Sequence, residues 1–403
     1  MKRSYIGETE KNLLSLLGHS LFSAPLSLSE GISWEAVWRE STVQSVSAIA
    51  FEGYRALPLS AALKEEIGFA LRARMAKNAF CFSGHAFIHK LLSEKNIPYS
   101  IIKGVASARY YPEPLLRNMG DVDFFLPREH VAAAEEALIQ AGFARLEEEH
   151  DFHTVFYKGN AHLELHFAPI SAPEGELKEV FDEYWERLVP ESSEVTVDAF
   201  TVRLPSPFMH GFILLSHLRG HLLSGGVGLR HLTDFAVFAN SLENGEFVSL
   251  FEKKLKRAGL WRLAEALALA AVLYMGMPRK DWMGKDEKTA EALLADILSG
   301  GNFGRKDSQR GFEDLFVSGG KGDKVEKSRF RQGIRSLNRT VRVRWRAARW
   351  LPLLYPIGWI YFSLRFLLRV LLGKNKIDTI SAYAHSGERK ALYKKLDLFD
   401  SQK

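Results

Sequence analysis

The chain has 403 residues, 46% hydrophobic and 25% charged, with a formal net charge of +6. That length can bury cores for two or three domains, and the single cysteine, Cys81, excludes an intrachain disulfide framework and any zinc site built on repeated cysteines. The positive charge is local: thirteen Lys and Arg and no acid lie between Lys327 and Ile377, which leaves the remainder at −7.

In chain order, the opening "MKRSYIGETEKNLLSLLGHS" places glutamates ahead of any apolar run of signal-peptide length, so the chain is expected not to be exported. Residues 1–95 form a helical region, with apolar residues at spacings of three and four in "SWEAVWRESTVQSVSAIAFEGYRAL" and "AALKEEIGFALRARMAKNAFCFSGHAFIHKLLSEKN", and with Ser33 as an N-cap. Over 96–205 the period changes to an α/β (α+β) core with a small mixed sheet: strand 98–103, helix 104–111, strand 121–126, helix 128–141, strands near 143–149, 152–158 and 162–167, and one over 194–203. Residues 206–298 return to helices that pack on the core, with "VSLFEKKLKRAGLWRLAEALALAAVLYMG" as the longest stretch. The Gly, Lys and Ser bias of 299–328 marks a linker or loop, and 329–403 is a basic, aromatic tail.

The chemistry concentrates in "IIKGVASARYYPEPLLRNMGDVDFFLP". Residues two apart on a strand share a face, so Asp121 and Asp123 project together while Val122 and Phe124 cover the other side. Converging carboxylates repel unless a cation lies between them, and hard oxygen ligands suit Mg²⁺ or Mn²⁺. The bland alternative is a solvated strand end. In "AHLELHF", Leu163 and Leu165 alternate with His162, Glu164 and His166, so a strand that buries the leucines offers Glu164 as a third acid, flanked by histidines. Those two histidines alone fall short of a zinc ligand set.

"IIKGVASARYYPEPLLRNMGDVDFFL", then "LELHF", then "LRHLTDFAVF", resembles the uncharacterised nucleotidyltransferase family of the DNA polymerase β-like superfamily over about residues 10–245. The resemblance implies that Asp121, Asp123 and Glu164 are catalytic and hold divalent metal, that Glu164 serves as base, and that an NTP donates its nucleoside monophosphate to a hydroxyl acceptor with loss of pyrophosphate. The superfamily's Gly-Ser helix opening is replaced by Lys103-Gly104, with Ser107 one turn inside the helix as the stand-in for the serine in nucleotide binding. Gly104 would admit a phosphate to backbone N–H groups, and Lys103 and Arg117 would add charge. Lys103 otherwise ends a strand at the surface, Arg117 otherwise bridges Asp121 or Glu113, and Arg230 and Asp234, four apart, either pair together or brace the site.

In the tail, Arg335, Arg339, Arg342, Arg346 and Arg349 line one helix face. They precede an uncharged run, Trp350 to Leu364, too short to span a bilayer and interrupted by Pro352 and Pro356. Arginines at headgroups with Trp359 and Phe362 beneath describe an interfacial anchor on an anionic membrane surface, here the cytoplasmic face. Core packing of the apolar run and RNA binding by the arginines are the competing readings. For the whole chain, the expectation is a cytoplasmic, membrane-peripheral, metal-dependent nucleotidyltransferase. Its rivals are a non-catalytic nucleotide-binding or scaffolding module and a metal-dependent glycosyltransferase.

Overall fold

A computed structural model describes residues 6–146, 152–169, 173, 176–223, 226–304, 306, 334, 337–338, 341, 345, 351, 353–371 and 379–399. Two units form, one from Met1–Asp307 with Leu392–Lys403 and the other from Ser308–Ala391.

The first unit begins with α1 (Glu8–Phe22), α2 (Trp34–Val43), α3 (Phe51–Arg55) and α4 (Ala61–Glu94). Ser33 caps α2 by accepting from the Ala36 N–H, and Ser60 caps α4 by accepting from Leu63. Along α4 the positions Cys81, Phe82, His85, Ile88 and Leu92 are buried, a stripe at helical spacing that faces the sheet. Gly84 sets how near the helix comes, since a Cβ there would lie 2.9 Å from Val122 Cγ2. Cys81 is a free, buried thiol in this stripe.

The sheet contains β1 (Ser100–Ile101), then after α5 (Val105–Ala108) β2 (Val122–Phe125), then after α6 (Val131–Gln140) β3 (Ala144–Arg145), β4 (His153–Lys158) and β5 (Ala161–His166). The spatial order is β1-β2-β5-β4-β3, with β2 and β5 parallel and the other pairs antiparallel. Val122, Phe124, Leu163 and Leu165 fill the core with Phe156 from β4 and Leu138 from α6. The alternation that buries them sends Asp123, Glu164 and His166 to the other face.

After α7 (Glu176–Glu186), which the sequence reading lacked, the strand expected over 194–203 is a hairpin of β6 (Ser193–Val197) and β7 (Phe200–Leu204). Asp198, at φ +52°, takes the left-handed conformation that a tight turn needs and that Asp tolerates better than most residues. Then come α8 (Pro207–Leu222), α9 (Leu229–Ser241), α10 (Asn244–Arg257), α11 (Trp261–Met275) and α12 (Glu287–Gly300). The long stretch from Val248 breaks between α10 and α11 at Gly259, φ +66°. The last residues of the chain return to this unit: Tyr393 Oη donates to Asp296 Oδ2 at 2.9 Å, and Arg219 donates twice to the Leu398 carbonyl at 2.9 and 3.0 Å.

In the second unit, α13 (Leu354–Leu371) includes Pro356 in its first turn, where no intrahelical N–H is needed, so this proline does not interrupt the helix as expected. α14 (Thr379–Lys395) follows. Gly358 of α13 lies against Val341, Trp359 Nε1 donates to Asn338 Oδ1 at 2.9 Å, and Phe362 packs on Trp345. No helix of the described residues is long and apolar enough to cross a membrane.

Candidate active site

The parallel pairing of β2 with β5 sets Asp123 directly opposite Glu164 and Phe125 opposite His166. Asp123 is buried, and its Oδ1 accepts from Lys103 Nζ at 3.0 Å and from His166 Nε2 at 2.9 Å. Burial alone would raise its carboxyl, but the Lys103 charge and the His166 hydrogen bond outweigh that and hold it far below the usual carboxylate range. Asp121, just before the strand, takes the opposite course. The charge of Asp123, then burial, then Glu164 push it up to about 6, only partly offset by Lys103 and Arg230.

Ligand atoms of Asp121, His162 and Glu164 lie within 4.8 Å of one another, as do those of Asp123, Glu164 and His166. The three acids therefore meet, with Glu164 common to both groups. The histidines of β5 divide, His166 belonging to Asp123 and His162 to the exposed end. Most of these donors are hard oxygens that repel one another, which fits Mg²⁺ or Mn²⁺. Asp123 would ligate through Oδ2, since Oδ1 already accepts two donors.

The Lys103-Gly104 turn faces the same carboxylates. Burial opposes the charge of Lys103, yet Asp123, Asp121 and Glu164 prevail and keep the ammonium protonated. Gly104 has φ +60° and ψ −115°, and a Cβ on it would lie 2.3 Å from Nε2 of buried His85. Both the conformation and the space therefore require glycine. The helix expected over 104–111 is only the single turn α5, in which Ser107 is buried with an Oγ that has no hydrogen-bond partner.

Arg117 corrects the expectation of a phosphate contact. It is buried, with Nε and Nη2 donating to the two oxygens of Asp234 at 2.7 and 2.8 Å and Nη1 reaching the Gly104 carbonyl at 3.3 Å. Its partner is Asp234, not Asp121 or Glu113, and the Arg230 charge also acts on Asp234. Tyr111 Oη also donates to Asp234 Oδ1, at 2.7 Å. This clamp ties both ends of the loop between β1 and β2 to α9.

Two further positioning residues escaped sequence reading. Asn78 of α4 donates to the carbonyls of Leu115 and Arg117 at 2.6 and 2.8 Å and accepts from Met119 N–H at 3.1 Å, which fixes the approach to Asp121. The sequence offers His166 as a flank of Glu164 and, with His162, as part of an incomplete zinc set; the structure makes it the hydrogen-bond partner of Asp123 instead. The five tail arginines, Arg335, Arg339, Arg342, Arg346 and Arg349, lie outside the described residues. Trp359 and Phe362 are half-buried within their own unit, so the exposed apolar face of α13 is made by Ile357, Ile360, Tyr361, Leu364 and Leu368 instead.

Acids brought together in this way on a small mixed sheet, beside a glycine turn, define a class of phosphoryl-transfer enzymes, the nucleotidyltransferases. The chain belongs to the family described as uncharacterised nucleotidyltransferase, whose model matches residues 30–276. Among solved structures it is similar to the antibiotic-resistance factor ANT(2'')-Ia. The solution structure has 18% identity over 40% of this chain and 84% of that one, with a TM-score of 0.31. The crystal structure with adenylyl-2''-tobramycin has 17% identity over 44% and 98%, with a TM-score of 0.33. No curated protein matches the chain. Family membership makes this chain a nucleotidyltransferase and sets the glycosyltransferase reading aside.

Proposed function

We propose that the enzyme moves a nucleoside monophosphate from an NTP to a hydroxyl acceptor, with Asp121, Asp123 and Glu164 holding Mg²⁺ or Mn²⁺. The observation that carries this reading is the β2–β5 register, which sets Glu164 beside the paired aspartates and leaves Asp121 with a pKa raised by its neighbours' charge. Metal bound there would supply Lewis acidity toward the acceptor hydroxyl and the phosphates. The acceptor oxygen forms a bond to the α-phosphorus as the bond from that phosphorus to the bridging oxygen breaks and pyrophosphate leaves. Glu164 takes the hydroxyl proton. Lys103 keeps Asp123 ionised and presents its remaining N–H groups toward the triphosphate, while Gly104 allows backbone approach and Arg117 with Asp234 holds the turn. Incubation of the protein with α-labelled NTPs, Mg²⁺ and cell extract tests this. Label should pass to a discrete acceptor, and its absence with every nucleotide would count against transfer.

For the tail, we propose attachment to an anionic, cytoplasmic membrane surface. The support is the row Ile357, Ile360, Tyr361, Leu364 and Leu368, exposed along one face of α13, next to a sequence segment rich in arginine. Binding to anionic vesicles should weaken with salt and with Ile357→Ser plus Leu364→Ser. Indifference to vesicles, or retention of RNA instead, would overturn it.

A further inference from the structure

A second cluster of candidate ligands shares no residue with the carboxylate groups. His217 and His221 stand four apart on α8, one above the other on one face, and His231 comes from the first turn of α9. The Nε2 atoms of His217 and His221 are 2.9 Å apart, their rings are perpendicular, and the ring of His231 is centred 5.6 and 5.4 Å from theirs. One ring nitrogen from each of the three lies within 4.8 Å of the others. Tetrahedral ligation at about 2.0–2.1 Å separates ligand nitrogens by roughly 3.4 Å, so small ring rotations would complete the geometry.

We propose that His217, His221 and His231 form a nitrogen-only site for a zinc-class divalent ion, separate from the carboxylate site and with a fourth position open to an anionic oxygen. Two points carry this beyond a hydrogen-bonded histidine pair. The spacing of two histidines by four on one helix, joined by a third from a neighbouring helix, is a metal-ligand arrangement, and three imidazoles suit zinc, not magnesium. Arg230, the residue before His231, reaches the Asn118 carbonyl of the loop before β2 at 3.5 Å, and the charges of Lys103 and Arg230 act on His217 and His221, so the cluster borders the catalytic turn. Those two cations oppose a bare ion but favour an anion as its fourth ligand, which points to a phosphate oxygen or an acidic group of the acceptor.

The test uses full-length protein, stripped with chelator and titrated with Co²⁺, then back-titrated with Zn²⁺. Wild type should develop the intense visible bands of four-coordinate cobalt at one equivalent, and zinc should abolish them. His217→Ala and His221→Gln, checked for folding by circular dichroism, should lose the bands, whereas Asp121→Asn with Glu164→Gln should keep them. The double carboxylate variant separates this proposal from the transfer reading, because it removes activity without touching the histidines. No bands in folded wild type would overturn the proposal, a result that does not depend on any variant folding. Bands that survive both histidine changes, or vanish with the carboxylate changes, would do the same.

Discussion

Asp121 and Asp123 sit two residues apart in opposite surroundings, and their variants should part accordingly. Asp121 is ionised at neutral pH against its neighbours, so Asp121→Asn should raise the stability of metal-free protein, by up to about 3 kcal/mol in urea unfolding, while it removes Mg²⁺-dependent transfer. Asp123→Asn leaves Lys103 without its buried partner and should cost about 3 kcal/mol in the same measurement. Equal effects on stability would contradict the assignment. The sequence made the pair and the third acid legible, because Val122, Phe124, Leu163 and Leu165 alternate cleanly enough to fix which face each acid takes. It gave no sign that Asp123 is buried, since that depends on Lys103 and His166 arriving from other elements.

Between elements, the clamp of Arg117 and Asp234 joins the loop before β2 to α9. Either single change, Arg117→Met or Asp234→Asn, should lower stability by about 3–5 kcal/mol and reduce transfer. A double-mutant cycle should show strong coupling. If Arg117 touched phosphate instead, Arg117→Lys would raise the KM for nucleotide with stability unchanged. Gly104→Ala should be strongly destabilising, because it combines a positive φ with a Cβ 2.3 Å from His85 Nε2; a thermal midpoint equal to wild type would refute the turn geometry. Long helices and alternating strands could be read from periodicity, since that signal is local. The clamp, Asn78 and His85 could not, because their partners lie far along the chain and only the packed fold brings them together.

Across the molecule, buried neutral histidines should make the fold sensitive to acid. Burial pushes His85 down to about 4 and His210, stacked on Tyr110 and set edge-on to Phe238, down to about 3. An unfolded histidine titrates near 6.5, so as the pH falls below that the unfolded chain takes up protons that the native state refuses. Stability is therefore full above pH 6.5 and declines toward pH 4, by about 2 kcal/mol per histidine at pH 5. His210→Phe should flatten this decline in urea midpoints, and an unchanged slope would argue against it. The central claim, that Asp121, Asp123 and Glu164 drive nucleotidyl transfer, is tested most directly by following α-labelled NTP into the acceptor with wild type, Asp121→Asn and Glu164→Gln side by side. Wild type should label the acceptor in a Mg²⁺-dependent way and both variants should fall by at least about 100-fold, with nucleotide binding by Glu164→Gln largely kept; labelling at the wild-type level by either variant would contradict these roles.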